Sequence, residues 1–412
     1  MNLHQAVDNG EFCCKNGLCI DSELRCDNSI DCEDHSDELD CKIVILPNFE
    51  YKSERPPSPE TIKRFPSVIT KRATDVNASV EIIQILDIEE VKSEVTIIFS
   101  VYLTWKDPRL KFLYLKKSKE SNVIDEHIWI PKFTFGNLKE NLSDFQRKME
   151  VRRKGVPREN SKTILTMEEI YEGKENPITI KSFYQIKFIC GFDNIGLYPF
   201  DKEFCSIDIV NAGTGNKFMN YIAEDIKYYG KQTIAQYTVE QVTFQKEMFT
   251  KDLNGLKVEF QLGRDFKSIF CVTYLPTILM NIINQSTIYL DIQEFLEAII
   301  TVNVTCMMVL SALYISVSNS LPATAAIKYI DIWLLYSLIF PFFIILVSIS
   351  LYYVQVTTSK VCPFDVKEKK SKLMRKRDLN MKWILRCLVF YVNPTMYILF
   401  ASVYFLNGIL FL

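Results

Sequence analysis

The sequence predicts a multi-domain membrane protein. A small disulfide-rich module and an extracellular immunoglobulin-like β-sandwich precede a four-helix transmembrane bundle. Three observations predict this order: six of the twelve cysteines lie within the first 41 residues, short β-type runs fill the middle of the chain, and long apolar runs follow. The apolar runs cover 269–290, 295–318, 329–354 and 383–412. Each can cross a hydrocarbon core of about 30 Å, so a wholly soluble protein is excluded.

Composition excludes two classes of function. The formal net charge is -2, which gives no reason to expect a nucleic-acid partner. The three histidines, His4, His35 and His127, lie far apart in the chain. Because no nucleophile, base and orienting group can be assembled, we expect no enzyme activity.

The N-terminal cysteines predict an extracellular module. About forty residues bury too little surface to fold unaided, and disulfides require an oxidising compartment. The segments Cys14-Lys-Asn-Gly-Leu-Cys19-Ile, Cys26-Asp27, Asp31-Cys32 and Ser36-Asp37-Glu38 before Cys41 resemble an LDL-receptor class A module. Six cysteines allow many pairings, and the resemblance implies Cys13–Cys19, Cys14–Cys32 and Cys26–Cys41. Cys13 departs from the family pattern, in which the first cysteine lies several residues upstream.

The acidic residues of this module predict a calcium site. Calcium prefers six or more oxygen ligands, and Asp27, Asp31, Asp37 and Glu38 offer four carboxylates. The resemblance adds the backbone carbonyls of Leu24 and Ser29. The alternative is an acidic, solvated surface. The resemblance also implies a protein partner with a basic surface that binds at the acidic site.

Prolines at five positions of 43–72 predict an extended linker after the module. Alternating β-type runs between turn signals then predict a sandwich over 73–267. We therefore divide the chain into a module at 12–42, a linker at 43–72, the sandwich at 73–267 and the membrane bundle at 268–412. Glycosylation sequons begin at Asn77 and Asn141.

Three landmarks in the body carry a second resemblance. They are Trp105-Lys-Asp107-Pro108-Arg109-Leu110, Ile128-Trp129-Ile130-Pro131, and the loop from Cys190 to Cys205 that encloses Tyr198-Pro199-Phe200-Asp201. Together they resemble the ligand-binding domain of Cys-loop pentameric ligand-gated ion channels. The resemblance extends over roughly 73–412, and the second and third spans resemble an arthropod branch of orphan, proton- or zinc-sensitive chloride channels.

The Cys190–Cys205 loop is expected to couple the sandwich to the membrane helices. Closing a loop of this length stabilises the fold by about 3 kcal/mol, and an aromatic and proline tip forms a stiff apolar wedge. The resemblance implies that Tyr198, Pro199, Phe200 and Asp201 transmit the signal, with Arg264 as partner. A purely structural cross-link is the alternative.

The agonist site matches the family pattern less well. Amino-acid-gated relatives often carry arginine three positions before Trp105, where this chain has Tyr102. Tyr102, Phe135 and Phe249 are the candidate ligand-binding residues, and a position in the sandwich core is the alternative for each. Glycine, γ-aminobutyric acid and acetylcholine are therefore disfavoured. A small extracellular ligand, a proton or a metal ion is the expected stimulus.

The second apolar run predicts a pore-lining helix. Residues at steps of four and three share one face of a helix, and this face is polar, then apolar, then polar. Five copies around an axis would form hydroxyl rings and an apolar constriction that closes by dewetting. The alternative is a packing stripe within a helical bundle. The residues of this face are Thr301, Thr305, Met308, Ala312, Ile315 and Asn319.

The sequence allows two interpretations of ion selectivity, for cations or for chloride. Acidic rings favour cations, and Glu297 lies at the inner end of the second run without a basic neighbour. The resemblance of the third span favours chloride instead, although the Pro-Ala-Arg motif of many anion channels is missing. The alternative for Glu297 is a rim residue beside a helix N-terminus, where the helix dipole tolerates a carboxylate.

The sequence therefore predicts a plasma-membrane channel subunit that assembles with four further subunits and contacts lipid. Basic residues dominate 357–386, with ten Lys or Arg against three acids, which indicates a cytoplasmic loop and both termini outside. Chloride conduction is slightly favoured. The alternatives are a cation-selective channel of the same fold and a non-conducting modulatory or scaffold subunit that presents the module.

Overall fold

The computed structural model describes residues 11–359, 391 and 393–411, with internal gaps. The first part of the predicted fourth span, 383–390, and Ser143 of the second sequon lie outside the described residues. The gaps are 28, 40, 47–55, 58–61, 65–67, 71–72, 118–119, 124–126, 143–145, 157, 160–168, 213–218, 251–252 and 325.

The N-terminal module contains one short hairpin and three disulfides. Strands β1 (Glu11–Cys13) and β2 (Cys19–Asp21) pair in antiparallel fashion, and a 3-10 turn, Ser22–Leu24, follows. The disulfides join Cys13 to Cys19, Cys14 to Cys32 and Cys26 to Cys41. These disulfides stabilise the module, because a segment this short buries too little apolar surface to form a hydrophobic core.

The body is a β-sandwich of two large sheets. The strands are β3 (Val44–Ile45), β4 (Ile62–Arg64), β5 (Val68–Thr70), β6 (Thr74–Glu89), β7 (Glu94–Trp105), β8 (Lys111–Leu113), β9 (Ser121–Asn122), β10 (Phe133–Phe135), β11 (Leu138–Asn141), β12 (Gln146–Val151), β13 (Arg158–Glu159), β14 (Glu169–Glu172), β15 (Ile178–Ile189), β16 (Lys202–Asn211), β17 (Met219–Tyr228), β18 (Thr233–Ile234), β19 (Tyr237–Thr250) and β20 (Leu253–Arg264). One large sheet has the order β17-β6-β7-β15-β12-β9, with β11 also paired to β15, and the other has the order β10-β16-β20-β19-β18. A smaller sheet, β13-β14-β8-β3, and the hairpin β4-β5 complete the body.

Alternation along the strands builds one core between the sheets. In β15 and β16 every second residue is buried, as the two-residue period of a strand requires when one face is covered. The core-facing rows include Phe99, Leu103 and Trp105 of β7 and Val258 and Phe260 of β20. One departure from a purely antiparallel sandwich is β17, which pairs in parallel with β6.

Part of the predicted linker belongs structurally to the body. β3 pairs with β8, the Leu113 N–H donates to the Ile43 carbonyl at 2.8 Å, and Val44 is buried in the sandwich core. The module is therefore joined to the sandwich by a strand that starts three residues after Cys41.

Three helices are long and apolar enough to span a membrane. They are α1 (Phe266–Tyr289), α2 (Ile292–Ser320) and α3 (Tyr329–Ser359, with the span ending at Val356). Among the described residues the last helix, α4 (Asn393–Phe411), has only a short apolar stretch, Pro394–Leu410. Within the described residues there are thus three candidate spans where the sequence predicts four, and the fourth run begins in the segment outside them.

Local chemistry explains where these helices begin. Asp265 and Asp291 cap α1 and α2 by accepting from the backbone N–H two residues on, at 3.2 and 3.0 Å. Inside α1 a π-helical turn at Phe270–Tyr274 precedes Pro276, which has no N–H for a regular helical hydrogen bond.

Candidate functional site

The tip of the Cys190–Cys205 loop is inserted among the membrane helices. The disulfide closes the loop, and Tyr198 and Phe200 are buried in an apolar cluster that also contains Tyr274, Trp333 and Tyr404. The Phe200 ring stacks on Phe266 at 5.0 Å and meets Tyr329 edge-on at 5.9 Å. The Ile330 N–H donates to the Tyr198 carbonyl at 3.1 Å.

This cluster also holds the end of α2. Leu321, the residue after α2, is buried in it, and Tyr314 and Val317 of α2 pack against it. A displacement of the loop tip therefore acts on the same packed group that fixes the C-terminal end of α2.

A buried ion cluster anchors the loop to the last strand. The Arg264 side chain is completely buried and donates two hydrogen bonds to Asp201, from Nε at 2.7 Å and Nη2 at 2.9 Å. It also donates to both carboxylate oxygens of Glu90, at 3.0 and 3.1 Å, and to the Tyr237 hydroxyl. Bidentate pairs of this kind are stronger than neutral hydrogen bonds.

Aromatic rings enclose the guanidinium of Arg264. Its Cζ lies 4.5 Å from the ring centres of both Tyr198 and Tyr237, a distance at which the negative ring faces attract a cation. Burial raises the pKa of Tyr198 to about 12. Asp201 and Arg264 were predicted from the sequence as coupling residues. Glu90, which lies in the turn between β6 and β7, is part of no motif that would have predicted this contact.

Gly408 of α4 permits the close approach of Phe200. A Cβ atom at position 408 would overlap the Phe200 ring. That ring is already packed against Phe266 and Tyr329, so it has little freedom to move away. The last helix thus takes part in holding the loop tip.

The predicted pore face of α2 points away from the other helices of the subunit. Met308 is 61% exposed and Ile315 is 57% exposed, and the other residues of the predicted pore face are exposed too: Thr301, Thr305, Ala312 and Asn319. Ile299 and Leu310, on the opposite face, are 1% and 2% exposed. Asn303 is also buried there and donates to the Thr287 hydroxyl of α1 at 2.9 Å.

Glu297 lies on the same exposed face. It is exposed, and its carbonyl accepts from the Thr301 hydroxyl at 2.8 Å, while the Thr301 carbonyl accepts from Thr305 at 2.8 Å. Positions 297, 301 and 305 therefore form one line along α2. α2 begins before the predicted start at 295 and has a non-helical residue, Phe295, one turn in.

The three candidate ligand-binding residues lie in different parts of the sandwich. Tyr102 is on the outer face of the larger sheet, where its hydroxyl donates to Glu81 at 2.6 Å and Lys181 Nζ lies 5.0 Å from its ring centre. Burial and the bond to Glu81 raise the pKa of Tyr102. Phe135 packs against core residues, 5.2 Å from Tyr184, and Phe249 lies near Gly255 beside the β19–β20 turn.

The acidic residues of the module are linked through backbone hydrogen bonds. Asp37 is fully buried, its Oδ2 accepts from the Asp31 N–H at 2.7 Å, and its Oδ1 has no hydrogen-bond partner among the described residues. The Glu38 carboxylate accepts from the Asp27 N–H at 2.7 Å. The bond from Asp31 lowers the pKa of Asp37. A buried, ionised oxygen without a partner suits a cation, so Asp37 has the chemistry of a calcium ligand. Within the described residues, no three of the four carboxylates bring their oxygens within 4.8 Å of one another.

The module contacts the sandwich directly. The Arg25 guanidinium lies 3.8 Å from the centre of the Tyr114 ring and 4.3 Å from that of Phe12. The Lys117 N–H donates to the Glu23 carboxylate at 2.7 Å. Glu23 and Arg25 flank Leu24, whose carbonyl is an expected calcium ligand; Leu24 and Ser29 are both exposed.

The two sequons lie in different surroundings. Asn77 is half-buried near the start of β6, paired with Thr104 on one side and Ile222 on the other. Asn141 is exposed at the end of β11.

Replacing Gly408 by alanine is expected to displace Phe200 and to lower the thermal unfolding midpoint of the detergent-purified protein. Overpacking of this kind destabilises by about 1–3 kcal/mol. Gly196→Ala, in the Cys190–Cys205 loop that carries Phe200, is the matched control, because a Cβ atom there meets no other atom within 4 Å. Equal midpoints for the two variants would contradict the packing of α4 on the loop tip.

Comparison with known proteins agrees with this geometry. The family model "Neurotransmitter-gated ion-channel ligand binding domain" matches residues 61–282, and "Low-density lipoprotein receptor domain class A" matches residues 8–41. The chain is similar to the gamma-aminobutyric acid receptor subunit theta of Mus musculus, with 24% identity over 296 residues that cover 68% of this chain and 42% of the relative. It is also similar to the gamma-aminobutyric acid receptor subunit beta-like of Drosophila melanogaster, with 23% identity over 281 residues, 62% of this chain and 51% of the relative.

The chain thus spans about half the length of these curated relatives. The first family model covers more than half of the chain, and it covers the sandwich, the Cys190–Cys205 loop and most of α1. These relatives are receptor subunits, not enzymes. The chain belongs to the neurotransmitter-gated, Cys-loop family of ion channels and carries an LDL-receptor class A module at its N-terminus.

Proposed function

We propose that this chain is one subunit of a five-subunit channel in the plasma membrane, which conducts ions when an extracellular stimulus acts on the sandwich. The observation that carries the proposal is the exposed face of α2. In one subunit this face covers no other helix, although its middle, at Met308 and Ile315, is apolar. Four further subunits, of the same or a homologous kind, would enclose it.

The apolar middle of the face would form the closed barrier. Rings of Met308, Ala312 and Ile315 would exclude water from a narrow conduit, and tilting of the five helices would let water return. The Thr301 and Thr305 hydroxyls would line the inner part, and Asn319 the outer rim.

The loop tip would transmit the stimulus. A change in the sandwich reaches Asp201 and Glu90 through the buried Arg264, and the tip residues Tyr198, Pro199 and Phe200 carry it to the cluster at the outer ends of α1, α2 and α3. The helix end of this path is supported by the contacts of the tip with Phe266 and Ile330, and the sandwich end by the bonds of Arg264 to Asp201 and Glu90.

Chloride is the ion we propose first. The third span resembles the chloride-channel branch, and the chain is similar to gamma-aminobutyric acid receptor subunits. A cation-selective channel is the second candidate, because Glu297 lies in line with Thr301 and Thr305 and an acidic ring attracts cations.

The stimulus would act between two subunits. Tyr102 lies on the outer face of the larger sheet and Phe249 on the β19–β20 hairpin of the other sheet, so one subunit does not bring them together. The names of the relatives point to gamma-aminobutyric acid. We propose instead a small ligand of another kind, a proton or a metal ion, because Tyr102 is already bonded to Glu81.

If the outer face of the larger sheet forms the contact between subunits, this limits which sequon can carry a glycan. Asn77 lies on that face, in the same row as Thr104 and Thr179, whose hydroxyls are 3.0 Å apart. A glycan there would block assembly, so Asn141 is the proposed glycan site. Both chain termini would lie outside the cell, with α4 completing the four-helix arrangement.

The module would bind calcium through Asp27, Asp31, Asp37 and Glu38, with the Leu24 and Ser29 carbonyls. Calcium would neutralise the clustered carboxylates and order the turn that carries Glu23 and Arg25. Because those two residues contact Lys117 and Tyr114, an ordered module would be held on the sandwich. Its acidic site would remain the proposed contact for a basic protein partner.

A non-conducting modulatory or scaffold subunit is a further candidate, favoured by the module being held on the sandwich. Recording from cells that express the chain alone and together with homologous subunits separates the two. A chain that never contributes to current in either setting would support the scaffold.

Reversal potentials test selectivity. If chloride carries the current, lowering external chloride shifts the reversal potential in the positive direction by close to the Nernst value, and Glu297→Gln leaves this shift unchanged. A reversal potential that changes with external sodium instead, and changes less in Glu297→Gln, would overturn the chloride proposal and favour the cation channel.

Replacing Met308 by serine is expected to wet the constriction and produce current without a stimulus. The physical reason is that a hydroxyl at the narrowest apolar ring stabilises water there. Met307→Ser is the matched control, since Met307 is the adjacent residue and lies off the exposed line. Resting currents that rise equally in both variants would argue against Met308 as the barrier.

Calorimetric titration of calcium tests the module. Asp37→Asn is expected to weaken calcium binding at least about tenfold, because it removes the buried charged ligand. Asp34→Asn serves as control, since Asp34 bonds to the Ser36 and Asn16 backbone and is outside the proposed ligand set. Unchanged affinity in Asp37→Asn would contradict the assignment.

A further inference from the structure

One acidic residue occupies a position where the sandwich core requires an apolar side chain. The core-facing row of β16 is Glu203, Cys205, Ile207, Ile209 and Asn211, and all five are buried. Glu203 is 0% exposed. It lies two residues after Asp201 and pairs in register with Leu262 of β20, at the end of the core nearest the membrane helices.

The carboxyl group of Glu203 has few hydrogen bonds. Its Oε2 accepts from the Asn194 N–H at 3.3 Å, and its Oε1 is buried and has no hydrogen-bond partner among the described residues. Burying an ionised carboxylate with one long hydrogen bond is costly, whereas the neutral acid is tolerated.

The charges around Glu203 do not neutralise it. Asp193 and Asp201 come from the loop, Arg264 from the end of β20, and the Tyr237 hydroxyl from β19. The guanidinium of Arg264 already donates to Asp201, Glu90 and Tyr237. One buried cation therefore faces several carboxylates.

Burial raises the pKa of Glu203 to about 7, and Asp201 and Asp193 add to the rise. The Asn194 N–H and the charge of Arg264 oppose it. The group therefore changes its protonation near the pH of extracellular fluid.

We propose that Glu203 is a proton-binding site and that its proton stabilises the contact between the loop tip and the membrane helices. With Glu203 neutral, Arg264 is shared by Asp201 and Glu90 alone. When Glu203 releases its proton to water, a further carboxylate beside Asp201 competes for the same guanidinium and the anchor of the tip weakens. The proton is thereby a regulator of the proposed channel, and this regulatory step rests on the proposed function.

Two measurements on the purified full chain test the proton site without requiring current. In Glu203→Gln the side chain keeps its size but cannot ionise. The pKa of Glu203 is higher in the folded protein than in the unfolded protein, so proton binding stabilises the fold. This stabilisation is complete below the unfolded pKa of about 4.5 and is lost as the pH rises through the folded pKa of about 7. We therefore expect the wild-type thermal midpoint to fall relative to Glu203→Gln over that interval, with a constant difference at higher pH.

Hydrogen exchange at the Ile330 amide reports the contact itself, because that N–H donates to Tyr198. We expect equal exchange in wild type and Glu203→Gln near pH 5 and several-fold faster exchange in wild type near pH 8; comparing the proteins at each pH cancels the intrinsic rate. Glu240→Gln, whose carboxylate lies exposed beside Lys202 and Gln261, is the control and should follow wild type.

Parallel behaviour of wild type and Glu203→Gln in both measurements would overturn the proposal. A pH-dependent midpoint with unchanged Ile330 exchange would overturn its link to the loop tip. If the variant does not fold, infrared titration of wild type decides: a carboxylic-acid C=O band that disappears with a midpoint near pH 7 supports the site, and its absence at lower pH contradicts it. Loss of channel current alone bears on the proposed function and not on this site.

Discussion

The structure depends on one buried guanidinium. Arg264 ends the last strand, directly before the first helix, and it binds Asp201 of the Cys190–Cys205 loop and Glu90 of the β6–β7 turn. Removing one partner from such a buried ionic group typically costs about 3–5 kcal/mol, because the remaining charge is left without compensation. Arg264 therefore holds the last strand, the Cys190–Cys205 loop and the β6–β7 turn together directly before the first helix, next to the contacts by which the apolar tip packs among the helices.

The packing of the membrane helices follows from this anchor. Phe200 and Tyr198 complete an aromatic cluster with Tyr274, Trp333 and Tyr404, in which the Tyr274 and Tyr404 hydroxyls are 2.8 Å apart. Hydrogen bonds such as Asn303 to Thr287 hold the N-terminal part of α2 against α1. Because α2 packs through one side only in the described part of the subunit, its opposite side, polar at both ends and apolar between, stays exposed.

Sequence patterns predicted the elements better than the contacts between them. Hydropathy, cysteine density and short motifs around Trp105, Pro199 and Pro276 were sufficient for the family, the sandwich and three of the spans, since each depends on local spacing. Glu90, Gly408 and Glu203 carried no such signal, because their roles arise only where distant segments meet. Residues 43–46 were predicted to be linker because prolines follow from Pro47 onward, yet Val44 is part of the core since β3 pairs with an edge of β8.

Reaction of introduced cysteines with a charged, water-soluble thiol reagent tests most directly whether α2 lines the conduit. In a background with Cys271, Cys306, Cys362 and Cys387 replaced by serine, Thr305→Cys and Ile315→Cys should react during activation and lose current, whereas Leu310→Cys, which is 2% exposed on the packed side, should not. Reaction at Leu310→Cys with none at Thr305→Cys and Ile315→Cys would contradict the account.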